Sequence, residues 1–229
     1  MNVAATPEQP GHDCPLCPRL VEFRQKNRAT FPEFHNAPVD SFGPLAARLL
    51  IVGLAPGLKG ANRTGRPFTG DYAGDLLYAT LKHYDIAAGS YDRRADDGFA
   101  LVDCRVTNAV RCVPPENKPT PAEIKTCRRF LADEIASLKR LRAILALGRI
   151  AHDSVVTATG GRPSQFRFAH GAVHALPNGL QLVDSYHCSR YNTQTGVLTE
   201  GMFRQAVATA CGLLADAASS SRNEHENRG

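Results

Sequence analysis

At 229 residues with 43% hydrophobic content, the chain can bury a substantial core in one globular domain, which excludes fibres, coiled coils and disordered chains. No apolar run approaches the length of a membrane span, and the opening residues, MNVAATPEQPGHD, carry neither the basic start nor the apolar stretch of a signal peptide, so a cytoplasmic protein with no membrane partner is expected. The net charge of +5 permits an anionic partner without demanding one; its make-up, 21 Arg against 6 Lys, reflects either an Arg-rich lineage or a preference for the cation whose fork suits phosphate.

In chain order, residues 1–12 are polar and rich in Pro and Gly and are expected as a flexible tail, followed by a single domain over 13–217. A short apolar run at Arg48–Gly53 predicts the first buried strand, and a helical pattern follows at Ala73–Tyr84. Part of Phe99–Val110 predicts the second strand. The clearest helix is Pro121–Leu141: Thr120-Pro121-Ala122-Glu123 is a capping box with Pro at the first helical position, and Ile124, Cys127, Leu131, Ile135 and Leu138 share one face. A third strand at Ala143–Gly148, a helix at Ile150–Thr157, a fourth strand at Leu180–Tyr186 and a helix at Thr199–Ala217 complete the pattern, with 218–229 expected as a second flexible tail. Alternating strands and helices predict an α/β protein with a mostly parallel sheet, in which ligands bind beyond the carboxyl ends of the strands.

The segments that follow the four strands hold most of the Gly, Asn, His and Arg able to do chemistry. The first, GLAPGLKGANRTGRPFTGD over 53–71, has five Gly and two Pro that force unusual backbone angles and let the chain approach a ligand closely. It is neither a Walker A loop nor a dinucleotide fingerprint. Phe68 is either core or a face on which a planar base stacks, and Asp71 is either a helix cap or an acid at the site. In the last segment, residues 185–196, His187 is a structural residue or an acid, and the polar run beyond it suits a phosphodiester chain or a solvated loop.

Seven cysteines in a chain without an export signal argue against structural disulfides. Cys14-Pro15-Leu16-Cys17, with Cys112 and Cys127 far off in sequence, could supply four thiolates to zinc or to an iron-sulfur cluster; the missing second Cys-x2-Cys pair leans towards iron-sulfur, with plain burial as the alternative. Cys104 and Cys211 sit in apolar surroundings and read as core.

Together these segments resemble the family 5, or type B, enzymes of the uracil-DNA glycosylase superfamily: Cys-x2-Cys-x-Arg-Leu at 14–20, the whole of 53–71, AVRCVPPENKPTP at 109–121, ALGRIA at 146–151 and SYHCSRYNTQTG at 185–196. The match runs in order over about residues 14–205. The resemblance implies a three-layer α/β/α fold with a four-stranded parallel sheet and a 4Fe-4S cluster held by Cys14, Cys17, Cys112 and Cys127. It implies hydrolysis of the glycosidic bond of uracil, and of other deaminated bases such as hypoxanthine and xanthine, in DNA, leaving an abasic site for base excision repair. By the same resemblance Asp71 positions water and stabilises a cationic sugar, His187 donates to the base carbonyl, and Phe68 stacks on the base. Gly53, Leu54, Ala55, Pro56, Gly57, Asn108 and Asn117 are expected to complete the base pocket, and Asn62, Arg63, Arg66, Lys118, Ser189, Arg190 and Asn192 are candidate contacts to the DNA backbone.

Two positions depart from the family pattern. Asn108 stands where family 5 enzymes commonly carry a small residue and family 4 enzymes an Asn that reads uracil, which implies a tighter preference for uracil. Leu54 stands where family 4 carries an acid. Cys188 reads as a small buried side chain, and Tyr191 as a wedge for the gap left by a flipped nucleotide. A monomer acting on DNA is expected; the rival readings are a glycosylase mainly for deaminated purines and a metal-stabilised lesion-binding protein without turnover.

Overall fold

The structure, a computed structural model, describes residues 6–226, without the side chains of 215–226. In chain order it contains helix α1 (Pro18–Thr30), strand β1 (Leu49–Gly53), the short helix α2 (Ala61–Thr64), helix α3 (Tyr72–His83), the two-residue strands β2 (Ala87–Ala88) and β3 (Ala100–Leu101), and strand β4 (Cys104–Asn108). Helix α4 (Pro121–Ser137), strand β5 (Ala143–Leu147), helix α5 (Arg149–Ala158), strands β6 (Val173–Ala175) and β7 (Gln181–Ser185), the short helix α6 (Arg190–Gln194) and helix α7 (Glu200–Glu226) follow.

The four expected strands are β1, β4, β5 and β7, and they form the parallel part of a sheet ordered β4-β1-β5-β7-β6. The difference from the expected four is β6, which pairs antiparallel with β7 through Val173↔Val183 and Ala175↔Gln181. Parallel strands covered on both faces read as continuous apolar runs, and Leu-Leu-Ile-Val at 49–52 shows why. Leu49 and Ile51 face Leu77 and Leu81 of α3 and Phe203 and Val207 of α7. Leu50 and Val52 face Leu131 and Ile135 of α4 and Val155 and Val156 of α5. The result is three layers.

The capping box forms as expected: Glu123 N–H donates to Thr120 Oγ1 at 3.3 Å and Thr120 N–H to Glu123 Oε2 at 2.7 Å. The N-terminal segment is docked further than expected. Pro7 and Pro10 are buried, and Gln9 donates to Glu134 at 2.9 Å and accepts from Arg111 at 2.9 Å, so the chain is docked from residue 7 onward; a buried polar network that only the tail can complete holds it there. At the other end α7 continues to Glu226. Residues 1–5 and 227–229 lie outside the described residues.

Among the parallel strands the chain steps from β1 to β4 on one side and then to β5 on the other, so the connections diverge at β1. In open α/β sheets that switch point leaves a crevice at the carboxyl ends, and here Gly53 and Asn108 are the last paired residues of β1 and β4. Among the described residues no helix is long and apolar enough to cross a membrane.

Candidate active site

The crevice holds a small pocket lined by Ala55, Gly57, Ala61, Phe68, Asp71, Ala73, Asn108 and His187. It opens into a wider groove that reaches Lys59, Tyr72, Asn117, Ser189 and Arg190. Its floor depends on Gly53: a Cβ there would stand 2.4 Å from Asn108 Oδ1 and 2.4 Å from Phe68 Cζ. Phe68 is buried at φ +50°, in the left-handed region that non-Gly residues seldom occupy. Its ring lies 6.0 Å from that of His187 with 27° between the planes. The Gly53 and Leu54 carbonyls accept from the Ala109 and Val110 amides at 2.9 and 3.0 Å, which ties the first motif to the third.

Asp71 caps α3 with one oxygen, Oδ1, which accepts from Gly74 N–H at 3.1 Å. Its other oxygen faces the loop, where a Cβ on Gly60 would approach Oδ2 to 2.4 Å and one on Gly57 to 3.2 Å. The cap therefore occupies one oxygen and leaves the other without a hydrogen bond to the helix. Burial raises the Asp71 pKa above the ordinary carboxylate value, with the Gly74 amide opposing. His187 is the opposite case: burial lowers its pKa to about 4, leaving a neutral imidazole at pH 7. Asn108 is 3% exposed, and its side-chain oxygen has no hydrogen-bond partner. A buried acceptor left unpaired is costly, and a water or a ligand donor can satisfy it.

The expected phosphate contacts divide. Arg190 and Lys118 are exposed around the groove, with the Arg190 guanidinium 5.6 Å from the centre of the Tyr72 ring. Arg63 is exposed too. Asn62 and Arg66 are not available to DNA. Asn62 is 1% exposed and donates to Asn36 Oδ1 at 2.9 Å. Arg66 is 4% exposed, forms a bidentate pair with Asp97 at 2.8 and 2.9 Å, and lies among the rings of Phe42, Tyr78, Tyr91 and Phe99. Ser189 caps α6 by accepting from Asn192 N–H at 3.3 Å, and Asn192 Nδ2 donates to the His187 carbonyl at 2.8 Å; both build the loop that carries His187. Asn117 stands on the groove at φ +56°, outside the small pocket. Cys188 is fully buried, and Tyr191 is 73% exposed on α6.

Cys14, Cys17, Cys112 and Cys127 line one cavity with Leu20, Val110 and Phe130. Arg19 joins two of the elements that carry them: it lies in the first turn of α1 and makes bonds of 2.8 and 2.7 Å to both oxygens of Glu123 in the first turn of α4. Burial first, and then Cys127, pushes Cys17 up to about 11 and Cys112 up to about 12. The donors around the cavity suit an anionic occupant. Arg111 N–H donates to Cys127 Sγ at 3.3 Å, and Arg24, on the cavity wall, has two buried nitrogens, Nε and Nη1, without partners. Four thiolates around an iron-sulfur cluster carry net negative charge, so this donor set fits that group.

A second group went unread in the sequence. His152 of α5 and His174 of β6 bond to the two oxygens of the buried Asp184 of β7 at 2.7 and 3.0 Å, and the other ring nitrogen of His152 meets the Phe166 carbonyl at 2.9 Å. Burial opposes the charged form of His152, but Asp184 outweighs it and raises the pKa. This network anchors the end of β7, three residues before His187. Its members come from three elements with no shared motif, so no local signal announced it.

Compared with known proteins, residues 41–210 match the family model described as the uracil DNA glycosylase superfamily. A type-5 uracil-DNA glycosylase of Thermus thermophilus is 46% identical over 202 residues, which cover 86% of this chain and 92% of that protein. One from Mycobacterium bovis is 42% identical over 206 residues, 84% of this chain and 76% of the other. One from Pyrobaculum aerophilum is 37% identical over 191 residues, 82% and 83% of the two.

Proposed function

The chain belongs to the uracil-DNA glycosylase superfamily, in its type-5 branch, and on that footing we propose that it hydrolyses the N-glycosidic bond of deoxyuridine in DNA and leaves an abasic site. The observation that carries the reading is the unpartnered Asn108 oxygen, set in a pocket with a neutral His187, the Phe68 ring and the half-buried Asp71 carboxylate. Uracil presents an N–H donor between two carbonyl acceptors. The Asn108 amide can accept from that N–H and donate to a carbonyl.

Extruding the base costs a few kcal/mol of unstacking. Stacking on an aromatic ring returns about 1–3 kcal/mol, and Phe68, at the pocket wall, is the ring placed to supply it. As the bond breaks, its electrons leave with the base and the sugar becomes cationic. His187 donates a proton in a hydrogen bond to the carbonyl where negative charge gathers. Asp71 Oδ2 faces the cationic sugar and orients the water whose hydroxyl ends on the sugar carbon, while the base takes up a proton. Arg63, Lys118 and Arg190 pair with phosphates flanking the lesion. Cys14, Cys17, Cys112 and Cys127 would hold a 4Fe-4S cluster, which when bound ties α1, the segment after β4 and α4 into one body; the two unpartnered nitrogens of Arg24 support this.

Uracil release from a uracil-containing oligonucleotide tests the activity, and its absence would overturn the reading. The preference for uracil over other deaminated bases is tested by Asn108→Ala. Uracil excision should fall by about 10- to 10²-fold, as expected when a hydrogen bond to a group developing charge is removed, while hypoxanthine excision changes little. An unchanged ratio of the two rates removes Asn108 from base recognition.

A further inference from the structure

We propose that Tyr91 is a positioning residue for the active site, its hydroxyl clamping the backbone between Phe68 and Asp71; this rests on the glycosylase reading of that pocket. Tyr91 lies in the long connection between β2 and β3, outside every motif that frames the pocket. Its Oη accepts from Gly70 N–H at 3.2 Å and donates to the Phe68 carbonyl at 3.3 Å. One hydroxyl thus grips the chain on both sides of Thr69, between the ring that stacks on the base and the carboxylate that faces the sugar.

The grip falls where the backbone needs it. Phe68 at φ +50° and Gly70 at φ +97° are both left-handed, a conformation that a phenylalanine does not hold without support. The amide of Gly70 and the carbonyl of Phe68 find their partner in Tyr91 rather than in regular structure. Gly74, in the first turn of α3, completes the fit: a Cβ there would stand 1.7 Å from the Phe68 carbonyl oxygen and 2.8 Å from Tyr91 Oη. The helix capped by Asp71 therefore lies directly against the clamp.

Tyr91 is itself held. Its ring packs against Tyr78 and Phe99 at 4.9 and 5.7 Å between centroids. The same connection is fastened to the motif loop a second time by Asp97, whose carboxylate takes the Arg66 guanidinium and also accepts from the Asp92 and Phe99 amides at 2.8 and 3.0 Å. Arg66 in turn donates from Nε to Thr69 Oγ1 at 2.8 Å. The residues between β2 and β3 thus act as a strap over the loop of residues 66–71, with the ion pair as its anchor and the Tyr91 hydroxyl as its contact with the working backbone.

Tyr91→Phe removes the hydroxyl and keeps the ring. The expected result is a fall of about tenfold in the single-turnover rate of uracil release, the size of effect that a small misplacement of reacting groups produces, with KM and DNA affinity unchanged and a melting temperature lower by a few degrees, as two backbone groups lose their partner. Amide hydrogen exchange in residues 66–71 of the free protein should quicken in the same variant. Tyr91→Leu removes the ring as well and serves as the packing comparison. Unchanged exchange in Tyr91→Phe overturns the clamp. So does a rate loss seen only in Tyr91→Leu, or one accompanied by a matching rise in KM, because each assigns Tyr91 to packing alone. If the native protein releases no uracil, the glycosylase reading fails instead, and exchange at 66–71 still decides whether the hydroxyl holds the loop.

Discussion

Replacing Asp71 with asparagine takes away one charge and leaves the shape of the side chain. The structure separates its two oxygens: Oδ1 caps α3 at Gly74 N–H, 3.1 Å away, and Oδ2 lies against Gly57 and Gly60 of the loop. Asparagine can still cap but cannot stabilise a cationic sugar. Losing a preorganised group that stabilises charge in the transition state costs about 3 kcal/mol, or 10²- to 10³-fold in rate. Stability should move the other way. Burial raises the pKa of Asp71 in the folded state, so the protonated form is the one that folding favours. That contribution is complete below the ordinary carboxylate pKa and is lost as the pH rises through the folded value, so at pH 7 the native protein carries a buried charge at a cost. Asp71→Asn should therefore melt at or above the native temperature at pH 7, an advantage that narrows as the pH is lowered. Asp71→Ala also discards the cap, worth about 1 kcal/mol, and should melt roughly 2–4 °C below Asp71→Asn for a domain of this size. Single-turnover uracil release, binding to DNA bearing an abasic site and thermal scans at two pH values check the set. The acid limb of the rate profile should lie above the ordinary carboxylate value, because burial raises the Asp71 pKa, and it should disappear in Asp71→Asn. Near-native turnover in Asp71→Asn, or a melting temperature at pH 7 below that of Asp71→Ala, refutes the division of labour.

Gly60→Ala should cost about 10²-fold in rate without weakening DNA binding, because a Cβ 2.4 Å from Asp71 Oδ2 must displace the carboxylate; rate and affinity measured together check this. Arg190→Ala should lower the slope of log binding constant against log salt by about 0.9, since one phosphate is no longer neutralised. Arg66→Ala should leave that slope alone and destabilise the fold by about 3–5 kcal/mol, since it strands the buried Asp97; denaturant unfolding distinguishes the two. Protein purified without air should contain iron and sulfide, and Cys112→Ser should lose both and loosen the segment after β4; iron and sulfide assays on the two proteins decide it.

The parts of the fold legible in sequence were those whose physics is local. β1, β4, β5 and β7 are covered on both faces, so the apolar character of β1, β5 and β7 fills short windows, and the capping box before α4 is written in four consecutive residues. β6 escaped because it is three residues long and presents Val173 45% exposed, which no window separates from a turn. The docked residues 7–10 escaped because what holds them, Glu134 and Arg111, is more than 100 residues away.

The same distinction explains which site residues were placed and which were not. Arg63 and Arg66 stand three residues apart in one Gly-rich loop, and composition treats them alike. What separates them is Asp97, 31 residues further on, together with Phe42 and Phe99 from the flanking segments. That aspartate turns one arginine into a buried anchor and leaves its neighbour on the surface. Motif spacing shows that a loop approaches a ligand; the partner each polar group finds there is a tertiary fact. The reverse also holds at Asp71. From sequence, a cap and a catalytic acid are two uses of one carboxylate that can coexist. In three dimensions the cap holds Oδ1 and leaves Oδ2 against Gly57 and Gly60, so the proposed chemical role falls to the oxygen that the structural role does not use.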